Sequence, residues 1–380
     1  MISNLAQVPT ITVTNTNNSG SGSLRNAIDT ANAGDTIVFS SAILSGTILL
    51  NTQIVINKTL TISGPGPTIS GNGQTRILDI TGATTVVTIR DLTFINGNSS
   101  GAGGAILNEG ATLNVVNSTF SNNKAPTSSG GAIANTDSGT INITNSTFSN
   151  NSANFGGAIG NFPSGTINIT NSTFFGNTST SNGGAIANDG TITITRSIFV
   201  NNTATGNGGA IANDGRATIT NSLFFNNKSS ASGGAIANFD SGIVDITNTS
   251  FSNNNANFGG AIGNFSSGTI NITNSIFSNN RATENGGAIA NDGTMTIVRS
   301  TFTNNTATNN GGAIANDGTV TIVNSLFANN SARNGGAIAN LDSGTVNIRN
   351  STFINNTPTD ISNTPSGTVN STNSTFTSTP

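Results

Sequence analysis

The chain has 380 residues, a formal net charge of -3, only 7% charged residues and no cysteine. This excludes a basic field for nucleic acid or anionic membrane, a disulfide framework and thiolate metal sites. His, Trp and Tyr are also absent, which removes the usual general base near pH 7 and the amphipathic rings common in polar-ligand sites.

Met1 to Thr10 carries neither the basic n-region nor the apolar h-region of a secretory signal, and no run approaches the length of a membrane span. Membrane insertion of this chain is therefore not expected. Ser23 to Ala31 places Leu24, Ala27, Ile28 and Ala31 on one helical face with Ser23 as N-cap. A short helix there suits a cap over one end of a larger stack, and the N-terminal unit is bounded at 1–34. Less regular segments with period-two apolar positions follow over 35–102.

From Gly103 the string GGAI occurs ten times, at Gly103, Gly130, Gly156, Gly183, Gly208, Gly233, Gly259, Gly286, Gly311 and Gly335, spaced 24 to 27 residues apart. Each is followed by a turn, an alternating segment such as Thr140-Ile141-Asn142-Ile143-Thr144, then a motif such as Asn145-Ser146-Thr147-Phe148. Strands this short and evenly spaced cannot complete a sheet within their own repeat; each must pair with its counterpart in the next. The fold predicted is all-β, a right-handed parallel β-helix of about 25 residues per coil, regular over 103–356. Ile141 and Ile143 face inward and the flanking Thr and Asn outward. Phe148 is out of phase with Ile143, so a corner is expected at Asn145-Ser146, after which Phe120, Phe148 and their counterparts stack as an internal column. In the GGAI strand, alternation from Ile133 sends Asn135 inward, where it and its equivalents can form an amide ladder. The same alternation leaves Ala132 and Ala134 on a bare outer face. After Phe353 the pattern decays, and 357–380 reads as a degenerate coil or tail. Gly130 to Thr170 nearly recurs as Gly233 to Thr273, a block of four coils copied 103 residues on.

GGAI with Phe-x-x-Asn, as in Phe120 to Asn123 and Phe148 to Asn151, resembles the paired motifs of bacterial polymorphic outer-membrane proteins and related β-helix surface proteins. Ser23-Leu24-Arg25, Ala27-Ile28 and Asp35-Thr36-Ile37 look like the cap that opens many secreted bacterial β-helices. The resemblance implies an extracellular or cell-surface passenger, adhesive or filamentous, with a host or neighbouring cell surface as partner.

One constellation stands out from the repeat: Asp189, Asp214 and Asp240, with Asp292, Asp317 and Asp342 in the copied block. These acids fall in the turn after GGAI and would stack along a solenoid. Asn-Asp-Gly and Asp-Ser-Gly are ordinary turn sequences, so structural duty is the first expectation. A cation ladder, with weak Ca²⁺ as occupant, is the alternative. No coil gathers an acid pair with an insertion and a basic group, so no catalytic site is expected, and a polysaccharide-active enzyme is the least favoured reading. The outward Thr and Asn ranks form a lattice of the kind an ice-binding solenoid uses, a second possible function. The duplicated repeat and the bare Ala/Gly face favour a rod that self-associates end to end or side by side.

Overall fold

The computed structural model describes residues 9–377. The readings made for Met1 to Val8 and for Ser378 to Pro380 lie outside them. The chain winds as a parallel β-solenoid whose strands form four sheets of 15, 13, 14 and 8 strands among the described residues. Fifteen strands at the usual spacing make a rod roughly 65 Å long.

Each regular coil follows the same course. In the coil beginning at Gly130, Ile133–Thr136 belongs to the GGAI sheet, Thr140–Thr144 to the longest sheet, Thr147–Ser149 to the phenylalanine sheet and Ser152–Phe155 to the shortest. Strands pair in register with the next coil: Ile141 opposite Ile167 and Phe148 opposite Phe174. The corner expected at Asn145-Ser146 is present, with Asn145 at φ 51°. A second turn follows at Asn150, φ 54°. Asparagine tolerates this left-handed conformation better than other non-glycine residues, which explains its recurrence at both places.

The core is one continuous apolar column from Val13 to Ile361. The predicted phenylalanine stack is longer than expected: Phe94 joins it at one end and Phe376 at the other, with ring centroids 4.7 to 5.0 Å apart. Residues 357–377 are thus a further coil, although one with exposed sides.

The expected helix spans Leu24–Thr30, capped by Ser23, whose hydroxyl accepts from the Asn26 amide at 3.2 Å. Lys58 closes its other end by donating to the carbonyls of Ile28, Asp29 and Ala31. Among the described residues, no helix is long and apolar enough to cross a membrane.

Two polar ladders hold the coils together inside. The first was expected: Asn108 donates to Asn135 at 2.8 Å, Asn135 to Asn161 at 2.9 Å, and so on along the GGAI sheet. The second belongs to the Asn of Phe-x-x-Asn. Asn151 Nδ2 donates to the Phe120 carbonyl of the preceding coil and to Asn177 Oδ1 of the following one, both at 3.0 Å. Asn177 Oδ1 also accepts from the Asn151 amide. A serine row at the first corner adds bonds such as Ser146 N–H to Ser172 Oγ at 3.1 Å. Apart from Asn108 Oδ1, which opens the first row, the buried side-chain amides of these ladders are partnered, which is the condition for a polar group to stabilise a core.

The bare alanine face is corrected. Ala132 lies within the apolar core. The amides of both Ala132 and Ile133 donate to the Ala158 carbonyl, so the chain bends between them and both side chains turn inward. The first glycine of the pair, Gly130, sits at φ 74°. The second, Gly131, passes so close to the Gly157 carbonyl of the next coil that a Cβ could not fit. Ala134 does face outward, but its face is the floor of a recess and is buried.

Candidate functional site

The recess arises from turn length. Between the GGAI strand and the next, four residues separate Asn161 from Thr166, and likewise Asn238 from Ile243 and Asn264 from Thr269. Only two separate Asn188 from Thr191, Asn213 from Arg216, Asn291 from Thr294 and Asn316 from Thr319. Coils with short turns sit back; coils with long turns project on either side. Two short-turn coils between long-turn coils make a groove, and the copied block makes it twice.

Backbone pairing fixes which side chains align along this edge. The amides of Phe162, Asp189, Asp214, Phe239, Phe265, Asp292, Asp317 and Leu341 each donate to the ladder Asn of the preceding coil, from Asn135 to Asn316. These residues therefore form one column, in which an acid pair alternates with apolar residues. Phe239 and Phe265 stack at 4.8 Å between the two acid pairs. The structure thus places Asp189 with Asp214 and Asp292 with Asp317. Asp240 and Asp342 lie one residue further along their turns, where the column position belongs to Phe239 and Leu341.

The first groove has a volume of about 400 Å³. Its floor is Gly160, Ala187 and Ala212; one wall carries Phe162, Asp189, Asp214, Phe239 and Asp240, the other Phe155 and Asn182. The second groove, about 250 Å³, repeats this with Ala290 and Ala315 below, Phe265, Asp292, Asp317 and Leu341 on one side, and Phe258 and Asn285 on the other. Glycine at 160 and 263 is required because Ser129 and Ser232 press on those positions.

Electrostatically the acids are uncompensated. Partial burial, then the Asp214 carboxylate, holds Asp189 above the ordinary carboxylate range; burial, then Asp240, does the same to Asp214. Asp292 is raised by burial, and Asp317 by burial followed by Asp292 and Asp342. Among the described residues the ion pairs are Arg76 with Asp79 and Arg216 with Asp245, so the nearby Arg216 is already engaged. No group of three or more acidic residues among the described residues is gathered as a metal-holding set.

Two other outer features bear on function. The Thr/Asn lattice is present, but its amides bond along the rod, Asn142 to Asn114 and Asn168 to Asn142 at 2.9 Å. On the outer face of the phenylalanine sheet, Phe175, Val200 and Phe225 pair in one row and Ile198 with Leu223 in the next. Phe175, Ile198 and Phe225 are about 40% exposed, making an apolar patch that single-residue reading of the repeat did not show.

Seven segments of the chain match the model of the Chlamydia polymorphic membrane protein repeat: residues 117–136, 171–189, 196–214, 221–238, 274–292, 299–317 and 324–341. This bears out the resemblance drawn from GGAI and Phe-x-x-Asn. Each segment runs from or next to the first corner through the buried Phe and Asn, and most end on the groove column. Among solved structures, tailspike protein 3 of bacteriophage CBA120 is similar with a TM-score of 0.40 and 12% identity, over 94% of this chain and 58% of that one. No curated protein matches the chain.

Proposed function

We propose that this chain is a non-enzymatic, surface-displayed rod of a bacterial cell, adhesive or structural in role. The observation that carries this reading is the groove that recurs with the copied four-coil block. Copying multiplies binding capacity and length together, as a rod that binds along its side requires. The repeat match supports the surface setting, because the family it describes is named for membrane proteins. The test is display: intact cells expressing the full-length protein should expose it to added protease and to antibody, and should adhere more than cells lacking it. Protection from protease on intact cells, with cleavage after lysis, would refute surface display.

Side-by-side association of rods is part of the same reading and is assigned to the Phe175, Ile198 and Phe225 patch rather than to the alanine face. The exposed side chains of Phe175, Ile198 and Phe225 are apolar, so two copies can bury them against each other. Sedimentation and electron microscopy at increasing concentration should show paired or bundled rods that Phe175→Ser with Phe225→Ser disperses. Wild-type rods that stay single throughout would refute lateral association.

A further inference from the structure

We infer that the two grooves are tandem receptors for an extended polypeptide bearing arginine or lysine, each groove taking one basic cluster. This deepens the adhesive reading and rests on it. The argument is one of charge and shape together. Each groove presents two adjacent carboxylates, Asp189 with Asp214 or Asp292 with Asp317, and no basic side chain of the described residues pairs with them. Aromatic rings line the grooves with the acids: Phe162 and Phe239 share the wall of the first pair with Phe155 opposite, and Phe265 shares the wall of the second pair with Phe258 opposite. Carboxylates with aromatic rings beside them match a guanidinium or ammonium group, which bonds to the first and is attracted to the second.

Partial burial already works against the charged form of these acids, and an incoming cation relieves that cost. An uncharged ligand would leave it in place. The alanine and glycine floors admit a main chain lying along the rod. Four coils separate corresponding positions, about 19 Å, which an extended peptide covers in roughly six residues. The spacing therefore predicts a periodicity in the partner: two basic clusters with centres about six residues apart.

The probe is a synthetic peptide with two Arg-Arg pairs centred six residues apart, titrated into the full chain by calorimetry. The analogue with citrulline for arginine keeps the shape and loses the charge. The spaced peptide should bind at least tenfold more tightly than a peptide with one Arg-Arg pair, since the second contact becomes intramolecular. Asp189→Asn with Asp214→Asn should reduce the gain to a few-fold or less, and Phe162→Leu with Phe239→Leu should weaken binding several-fold with charge unchanged. Asp29→Asn with Asp91→Asn, which alters the net charge equally and lies outside the grooves, should have no effect. Equal binding of the citrulline analogue, an equal loss from the control variant, or saturable Ca²⁺ binding that excludes the peptide at these carboxylates would overturn the assignment. Cells that display the chain and adhere, while the purified chain ignores the arginine peptide, would refute this inference alone. A chain found only inside the cell would refute the surface reading and leave the peptide result standing.

Discussion

Replacing Asn202 by leucine removes one rung of the buried ladder at nearly constant volume. Asn202 Nδ2 donates to the Phe174 carbonyl and to Asn227 Oδ1, and Asn202 Oδ1 accepts from both the amide and the side chain of Asn177, all at 3.0 Å. Four net hydrogen bonds are worth about 4 kcal/mol, and the orphaned Asn177 amide and Phe174 carbonyl add about 1 to 3 kcal/mol each because no water reaches them. Burying the leucine returns about 2 kcal/mol. The expected loss is about 4 to 8 kcal/mol, read as a lower urea midpoint and as faster hydrogen exchange of the Asn177 amide. Asn168→Thr serves as control: it lies on the outer lattice, bonds to Asn142, and its counterpart in the next coil is already Thr193. That change should stay within about 0.5 kcal/mol. A loss below about 1 kcal/mol for Asn202→Leu, or one equal to the control, would show that the ladder does not hold the coils together.

Two further outcomes follow from neighbouring features. Phe224→Ala should cost about 3 to 5 kcal/mol, because the ring is wholly buried between Phe199 and Phe251; Phe225→Ser, on the outer face, should change stability by no more than about 0.5 kcal/mol in thermal or urea unfolding. The groove acids give a pH signature. With the folded-state pKa of Asp189 and Asp214 above the unfolded one, the folded state holds more protons in the interval, so these groups lower stability as pH rises through it and keep it lower at neutrality. Asp189→Asn with Asp214→Asn should therefore stabilise slightly at pH 7 and not below the ordinary carboxylate range. A larger gain at acid pH would reverse the sign and refute the desolvation argument.

Much of the interior was legible because period and burial coincide. The inward isoleucines, the phenylalanine column and the Asn135 row follow from alternation plus a constant coil length. Ala132 was misplaced because alternation was carried back one residue past Ile133, where the strand begins, into the glycine turn. The second ladder was harder to read. In Phe148-Ser-Asn-Asn151 the two asparagines look alike, and only the left-handed turn at Asn150 decides that Asn151 points inward. The acids were visible as a group, but their true partners were not. Membership of the turn after GGAI groups Asp240 with Asp189 and Asp214, but Asp240 stands one residue further from its GGAI than they do, and the column position belongs to Phe239.

The way the sequence varies separates folding from recognition. Inside, substitution is tightly limited: a phenylalanine, an asparagine and two glycines recur in coil after coil, because each ladder rung serves the coil on either side and a single defect costs both neighbours. Outside, the column beside the groove changes among Asp, Phe and Leu, and the turn alternates between two lengths, with no disturbance to the rungs beneath. A block copied with its coil register intact reproduces its outer column at the same angle around the axis, displaced by a whole number of coil rises. That geometry turns a gene-level repeat into a spatial one, so the two grooves face the same side of the rod with like residues in like order. A partner that engages one groove meets the second only if it lies along the rod axis. This is the reason the predicted ligand is an extended chain with spaced charges rather than a compact one.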